Sequence, residues 1–285
     1  MLRIILLLIF LFPYTIFAQS SVWKISKADH SLYIGGTCHL LRASDYPLPE
    51  EFEIAYEAAE MLVFEMDPTI AGTPDFALKL MRKASYDNAL GLKKVLSKHV
   101  YETLAEQCAR NGLSIETLDK MKPFMVVTTL LLQELAAYGV SEEGVDLHFH
   151  KRALNDNKQI QSLETPDFQI DLITSIGEGI EDEIVLYGLE DISNIQKRFD
   201  ELVLAWRSGE IKALEESFLA EISNYPDLYA RILIDRNLEW FQKIKKHLNN
   251  PEVEFVLVGV AHLAGDKGLV SLLKAEGYSV EQVVH

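Results

Sequence analysis

Cysteine is scarce: Cys38 and Cys108 are the two thiols in 285 residues, which excludes a disulfide framework and leaves at most one bridge. Positive charge is also scarce. With 27 Lys and Arg against 43 Asp and Glu, the formal net charge is −16, and a surface of that sign repels polyanions, so nucleic acid is excluded as the main partner. The chain has no Walker loop, no Gly-x-Gly-x-x-Gly fingerprint, no Gly-x-Ser-x-Gly elbow and no His-Glu-x-x-His helix. Nucleotide binding, serine-elbow hydrolysis and ordinary zincin chemistry therefore lack their sequence signatures.

One apolar run stands at the front. "MLRIILLLIFLFPYTIFA" carries Arg3, then unbroken apolar residues from Ile4 to Phe12, then Pro13 and the small Ala18. That order predicts a secretory signal peptide over residues 1–18, cleaved near Ala18, and hence a periplasmic or secreted chain. The run falls short of the roughly 20 apolar residues of a spanning helix, so no stable transmembrane anchor is expected. No Cys follows it to accept a lipid. The remaining residues 19–285, in a chain that is 48% hydrophobic, suffice for one packed domain.

Periodicity then alternates between strand and helix. "SVWKISKADHSLYIGG" predicts a hairpin with Val22–Ile25 and Leu32–Gly35 as arms. "PLPEEFEIAYEAAE" puts Phe52, Ala55, Tyr56 and Ala59 on one helical face, with acids in the first turn where they favour the helix dipole. "MLVFEMDP" follows as an apolar strand stopped by Pro68. Helical patterns fill Phe76–Ser85, Lys98–Arg110, Ile115–Met121 and Pro123–Tyr138. Another helix opens at "GVDLHFHKRALNDN" with Asp146 at or near its N-cap. "KQIQSLE" reads as a second buried strand, after which Thr165 and Pro166 cap and open a helix. Helices then run to Trp206 and from Ile211 to Leu248. "VEFVLVG", the helix "DKGLVSLLKAEG" and the strand "YSVEQVV" complete the chain. The fold class is α/β, a mixed and largely parallel central sheet with helical insertions over residues 68–140 and 170–250.

The strand ends carry the chemistry. The first core strand leads to His39, "LVFE" ends at Glu65, "IQSLE" at Glu164 and "FVLVGVAH" at His262. In open sheets of parallel strands, ligands bind outside the carboxyl ends. If these strands are parallel neighbours, two imidazoles and two carboxylates share one edge. His39 and His262 both stand in Gly-x-x-His-Leu, with Gly36 and Gly259 allowing a sharp turn or close backbone approach. His with Glu is a ligand set for zinc, manganese or cobalt, and equally a set of proton-transfer groups. One such ending alone means little, since a terminal Glu is usually a cap or a solvated charge; the coincidence of four carries the argument.

Weaker candidates lie nearby. His148 and His150 in "DLHFHKR" are two apart on a helix and so face different sides; for each, a packed or solvated ring is the ordinary expectation. In "RILIDRNLEW", Arg236 beside Asn237 is suited to hold a substrate carboxylate bidentately, or else pairs with an acid of the chain itself. Cys38 adjoins His39, but neighbours leaving a strand point apart, so it reads as a small buried residue. The aromatic residues from Tyr225 to Trp240 recur at helical spacing, which reads as core.

With these residues in view, the chain resembles the TraB/GumN family, which includes the Tiki-type proteins. "YIGGTCHLL", "LVFEMD", "GVDLHFHKRA" with "IQSLETPDFQ", "RNLEWFQKI" and "VLVGVAHLAGDKGLVSLLKAEGYSV" occur in the family's order. The resemblance implies an α/β core of the Tiki/erythromycin-esterase/ChaN type. For the Tiki branch it implies a metal-dependent protease using two Gly-x-x-His histidines and a Glu, which are His39, His262 and Glu65 here. Asp146 joins them through the matching "GVD", and Glu164 through the strand ends. The expected function is an exported metal-dependent hydrolase of peptides or small molecules. In it His39, His262 and Glu65 hold Mn, Co or Zn, Glu65 or Glu164 acts as base, Arg236 meets the oxyanion or a substrate acid, and Asp146, His148 and Asn237 line the site. The rivals are a non-catalytic binder of peptide, metal or haem, and a metal-free hydrolase in which His activates water directly.

Overall fold

The computed structural model describes residues 19–87, 89–141, 143–220 and 222–285; the segment read as a signal peptide lies outside them. Among the described residues eight strands form two sheets: β1 (Gln19–Lys27), β2 (His30–Thr37), β3 (Leu41–Arg42), β4 (Met61–Phe64), β5 (Val140–Ser141), β6 (Gln159–Ser162), β7 (Glu254–Gly259) and β8 (Ser279–Val284). Six of them make the central sheet in the order β6-β4-β7-β2-β1-β8, while β3 and β5 form a small ladder of their own. β6 with β4, β4 with β7 and β7 with β2 are parallel pairs, whereas β1 is antiparallel to both β2 and β8. The expected mixed, largely parallel α/β sheet is present. Its four parallel strands are adjacent, and they are the ones that lead to Glu164, Glu65, His262 and His39.

The hairpin turns at Ala28 and Asp29, with Ala28 at φ +52°, and pairs Val22 with Gly35 and Ile25 with Leu32. β4 is buried along its length and β7 from Glu254 through Val258, as strands covered on both faces by crossover helices must be. Phe255, Leu257, Leu62 and Ile34 are fully buried, each worth about 1.5–3 kcal/mol against exposure. The expectation that "KQIQSLE" is a buried strand is corrected. β6 lies at the sheet's edge, and Gln159, Gln161 and Ser162 are exposed; its polar alternation already matches a strand with one neighbour.

Helices cover the sheet and extend beyond it. Trp206, on helix Ile195–Ser208, is fully buried and donates its indole N–H to the Gly36 carbonyl at 2.7 Å. Between β4 and β6 the helical insertion builds a second apolar cluster from Leu92, Val100, Leu104, Cys108, Val126 and Leu130, closed by Val185 and Ile192. Cys38 packs against the sheet's core, so the two thiols, both free, belong to different clusters. The predicted continuous helix from Ile211 to Leu248 is broken by a short turn over Ile222–Asn224 and restarted at Pro226. It contains two π turns, Glu215–Leu219 and Ala230–Ile234, the second running directly into helix Asp235–His247. Among the described residues no helix is long and apolar enough to cross a membrane.

Candidate functional site

Beyond the carboxyl ends of the four parallel strands, side chains from residues 39, 65, 164 and 262 gather around an arginine. The two Gly-x-x-His glycines provide room rather than unusual backbone angles, since neither takes a positive φ. A Cβ on Gly36 would lie 2.7 Å from Val260 and 2.8 Å from Leu263, so β2 packs directly against the turn that follows β7. A Cβ on Gly259 would lie 3.2 Å from Glu65 Oε1 and 3.7 Å from both His39 Nε2 and His262 Cδ2. One glycine thus adjoins the carboxylate and both imidazoles.

The twin histidines are not equivalent. His262 is 4% exposed and its ring lies against Trp240 with centroids 4.3 Å apart. Asn237 Nδ2 donates to the carbonyls of His262 and Lys267, which fixes Asn237 Oδ1 as the acceptor facing His262 Nδ1 at 2.6 Å. Nδ1 therefore bears the proton, and Nε2 accepts from Arg236 Nη1 at 2.9 Å. Burial pushes the imidazole pKa down to about 3 against an opposing pull from Glu65, and Arg236 adds to the push. His262 is a buried, neutral ring with both nitrogens spoken for.

His39 has the opposite character. Its side chain is 63% exposed, and Nδ1–H donates to Asp146 Oδ2 at 2.8 Å. Thr37 Oγ donates to Asp146 Oδ1 at 3.0 Å, holding the carboxylate. Asp146 raises the His39 pKa, with solvent over the open face screening part of the pull. The helix Val145–Asn155 is N-capped by Gly144, not Asp146; the Asp146 carboxylate turns to His39 instead of capping. Burial pushes the neighbouring Cys38 thiol up, aided by Asp146, so that thiol stays protonated and is no nucleophile.

Arg236 occupies the centre. Its Nε donates to Glu164 Oε1 at 2.8 Å, and its Nη1 to the Ile232 carbonyl at 3.0 Å and to His262 Nε2. Its Nη2 donates to Glu65 Oε2 at 2.5 Å and Glu164 Oε2 at 3.0 Å. All five guanidinium N–H groups are thereby taken by the protein, and the guanidinium stacks over Trp240 at 4.5 Å. The expected contact of Arg236 with an oxyanion or substrate acid is corrected on that ground: it pairs with the chain's own acids. Glu164 is equally committed. Its Oε1 also accepts from Trp240 Nε1 at 2.9 Å and its Oε2 from Gln169 Nε2 at 2.6 Å, so four N–H groups fill it and no oxygen is left to act as base. Burial pushes its pKa up in spite of Arg236.

Glu65 keeps spare capacity. Oε2 takes Arg236, while Oε1 accepts only the Gly259 N–H, at 2.7 Å. Burial opposes its charge, but His262, Arg236 and His39 with that amide outweigh burial and hold the pKa at about 2. Two acceptor positions therefore remain open beside Gly259: His39 Nε2 and Glu65 Oε1.

His148, expected among the binding residues, is half-buried against Tyr46 and Phe149, with centroids 5.5 and 5.0 Å away, and is not part of this group. Its neighbour His150 is buried and reaches Asp67 through Nε2 at 3.2 Å. Thr37, Gln169 and Trp240 belong to the site and escaped sequence reading. Trp240 stands four residues after Arg236, on the same helical face, which is the one signal that could have found it. A hollow of about 430 Å³ lined by Gly91, Lys93, Tyr101 and Asp119 lies in the helical insertion and contains none of the strand-end residues.

The donors do not fit a divalent ion as they stand. An ion between His39, His262 and Glu65 needs the His262 Nε2 lone pair, which Arg236 holds, and meets a fixed positive charge at that point. Among the described residues no group of three or more His, Cys, Asp or Glu side chains is disposed to hold a metal.

Compared with known proteins, the chain matches one family description, TraB/PrgY/gumN family, over residues 21–282. No curated protein and no solved structure matches it.

Proposed function

The chain belongs to the TraB/PrgY/gumN family, and from that premise we propose that it is a hydrolase in which His39 activates water without a bound ion. The observation that carries the reading is the pairing of His39 Nδ1 with Asp146 Oδ2 while Nε2 remains open beside Glu65 Oε1. Asp146 fixes the tautomer and steadies the imidazolium that forms. Water attacking an acyl carbon passes a proton to His39 Nε2. As the tetrahedral species collapses, the bond to nitrogen or oxygen breaks and the leaving group takes that proton back. Glu65 Oε1 accepts the second hydrogen of the attacking water and so aims its lone pair.

Peptides are the first substrates to examine, followed by small esters and amides. The apolar N-terminal run supports an exported protein, which fractionation of expressing cells with and without residues 1–18 would test. A peptide library and an ester panel, each incubated with the wild type and with His39→Gln, test the reaction. Cleavage by the wild type that disappears in a folded His39→Gln protein supports it; no turnover of either panel leaves the site a binder and sinks the proposal.

A further inference from the structure

We infer that Arg236 fills the place of a divalent cation in this protein, and that a metal site lies masked beneath it. The inference concerns what the site holds, and it stands whether or not the proposed hydrolysis occurs.

Counting donors and lone pairs carries the argument. Four side chains of metal-binding type gather at this edge: His262 and His39 from the adjacent ends of β7 and β2, with Glu65 and Glu164 from β4 and β6 beside them, although no three of them converge on one ion position while Arg236 is there. In their midst the guanidinium touches three of them, at 2.9 Å from His262 Nε2, 2.5 Å from Glu65 Oε2 and 3.0 Å from Glu164 Oε2. An imidazole nitrogen has a single in-plane lone pair, which serves a hydrogen bond or a metal but not both. On His262, Nδ1 carries the proton given to Asn237 and the Nε2 lone pair is given to Arg236, so the ring has nothing left to coordinate with. The carboxylates are compensated as well. Two negative side chains, 12% and 4% exposed, face one cation that is 8% exposed, and buried charge of this kind persists only when paired.

Arg236 is also held too firmly for an ion to displace it easily. The Ile232 carbonyl, the Trp240 face and both carboxylates fix the guanidinium, and no N–H is left pointing at solvent. Replacing it with a short neutral side chain would remove the cation and let both carboxylates and the His262 imidazole close on the vacated volume. That is the mixed nitrogen and oxygen set that zinc, cobalt or manganese accepts. Metal uptake would then restore the lost compensation, and the ion would bind at the expense of protons on the carboxylates.

The experiment reads metal, not activity. The wild type, Arg236→Ala and the double variant Arg236→Ala with His262→Gln are dialysed against Zn²⁺, Mn²⁺ or Co²⁺ and then against buffer. Retained metal is measured by elemental analysis, and the Co²⁺ samples are scanned for visible ligand-field bands. The expected result is no stoichiometric ion in the wild type, a stoichiometric ion with thermal stabilisation in Arg236→Ala, and its loss in the double variant. Should Arg236→Ala not fold, the wild type together with His262→Gln decides the matter. A wild-type protein free of stoichiometric metal supports the inference. A stoichiometric ion in the wild type that disappears in His262→Gln overturns it, because Arg236 would then not be seated on that lone pair.

Discussion

Arg236 Nη1 and His262 Nε2 meet at 2.9 Å inside the protein, and this contact separates the roles of two histidines that share one sequence motif. Because the Arg236 proton takes the lone pair of His262, the buried ring becomes part of the scaffold, while the exposed ring of His39 keeps Nε2 free. The pair of Gly-x-x-His turns therefore presents one open ring and one anchored ring.

Imidazole titration should expose that division directly. His39 is raised above its ordinary 6.5 by Asp146, whereas burial lowers His262 to about 3. In ¹H–¹⁵N spectra of the two rings, His39 should titrate on the alkaline side of 6.5 and His262 should stay neutral, protonated on Nδ1, from pH 5 to 8. Asp146→Asn should bring the His39 midpoint back down. A His262 that titrates in that window would contradict the tautomer assigned from Asn237.

The rate of any hydrolysis should follow His39. A base works only when deprotonated, so kcat/KM should climb with pH through the raised His39 pKa and level off in the alkaline range. Asp146→Asn should move the climb to lower pH while lowering the plateau by about 10²–10⁴-fold, because the imidazolium loses its counter-charge and the ring its tautomer. A profile unmoved by Asp146→Asn would remove His39 as the base.

Acid should destabilise the protein in a definite window. The folded pKa of His262 lies below its unfolded value, so the unfolded chain takes up a proton first and stability declines as pH falls from about 6.5 towards 3. Glu65, lowered from 4.5 to about 2, contributes stability above 4.5 that is lost as pH falls towards 2. Glu164 is raised and acts in the opposite sense, costing stability once it is charged. His39, raised to about 9, gains its contribution as pH falls to 6.5 and adds nothing further below that, so urea midpoints measured between pH 6.5 and 3 should fall, and His262→Gln should flatten the decline between 6.5 and 4.5.

Removing one partner from the charge cluster should cost more than removing His39. Glu164→Gln leaves Arg236 short of an acceptor and should destabilise by about 3–5 kcal/mol. Trp240→Phe keeps an aromatic face but loses the N–H to Glu164, for about 1–3 kcal/mol. His39→Gln, at an exposed position, should stay within roughly 0.5 kcal/mol of the wild type. Chemical denaturation of the three variants provides the ranking; a His39→Gln loss equal to that of Glu164→Gln would mean that His39 belongs to the scaffold as well.

Gly259→Ala is the steric test. Its Cβ would lie 3.2 Å from Glu65 Oε1 and 3.7 Å from His39 Nε2, so the added methyl occupies the space that water needs between them. Folding should persist with a loss of about 1–3 kcal/mol, while cleavage should fall far more than stability does.

Much of this was legible from residue order because strands announce their ends. An apolar run that stops at Glu65 or passes Gly259 to reach His262 shows where a side chain emerges, and parallel neighbours bring such ends to one edge. What residue order could not show was how each hydrogen-bonding group is spent. Arg236 reads either as a substrate clamp or as the partner of an acid, and Glu164 as a base, because nothing in "RNLEW" or "SLETP" reveals that each satisfies the other. Trp240 resembled core since its ring is indeed buried, and spacing does not reveal that this ring backs His262 and Arg236 while its N–H reaches Glu164. β6 reads as buried only when its polar positions Gln159, Gln161 and Ser162, which fit a strand with one neighbour, are passed over. His148 and His150 differed by which side of a helix faced inwards, a choice made by packing on Phe64 and Tyr46.

The π turn Ala230–Ile234 closes its backbone bond from Asp235 N–H to the Ala230 carbonyl, one residue wider than an α turn, and it ends just before Arg236. Such a turn accommodates one extra residue within an otherwise α-helical path. Deleting one residue there would let the helix revert to ordinary winding with its flanks in place, so Arg236, Asn237 and Trp240 would keep their positions beside Glu164 and His262. Within the regular helix Asp235–His247 there is no such slack: removing a residue between Asn237 and Trp240 would turn the indole by about 100° away from Arg236. Chain length is thus forgiving on one side of Arg236 and strict on the other.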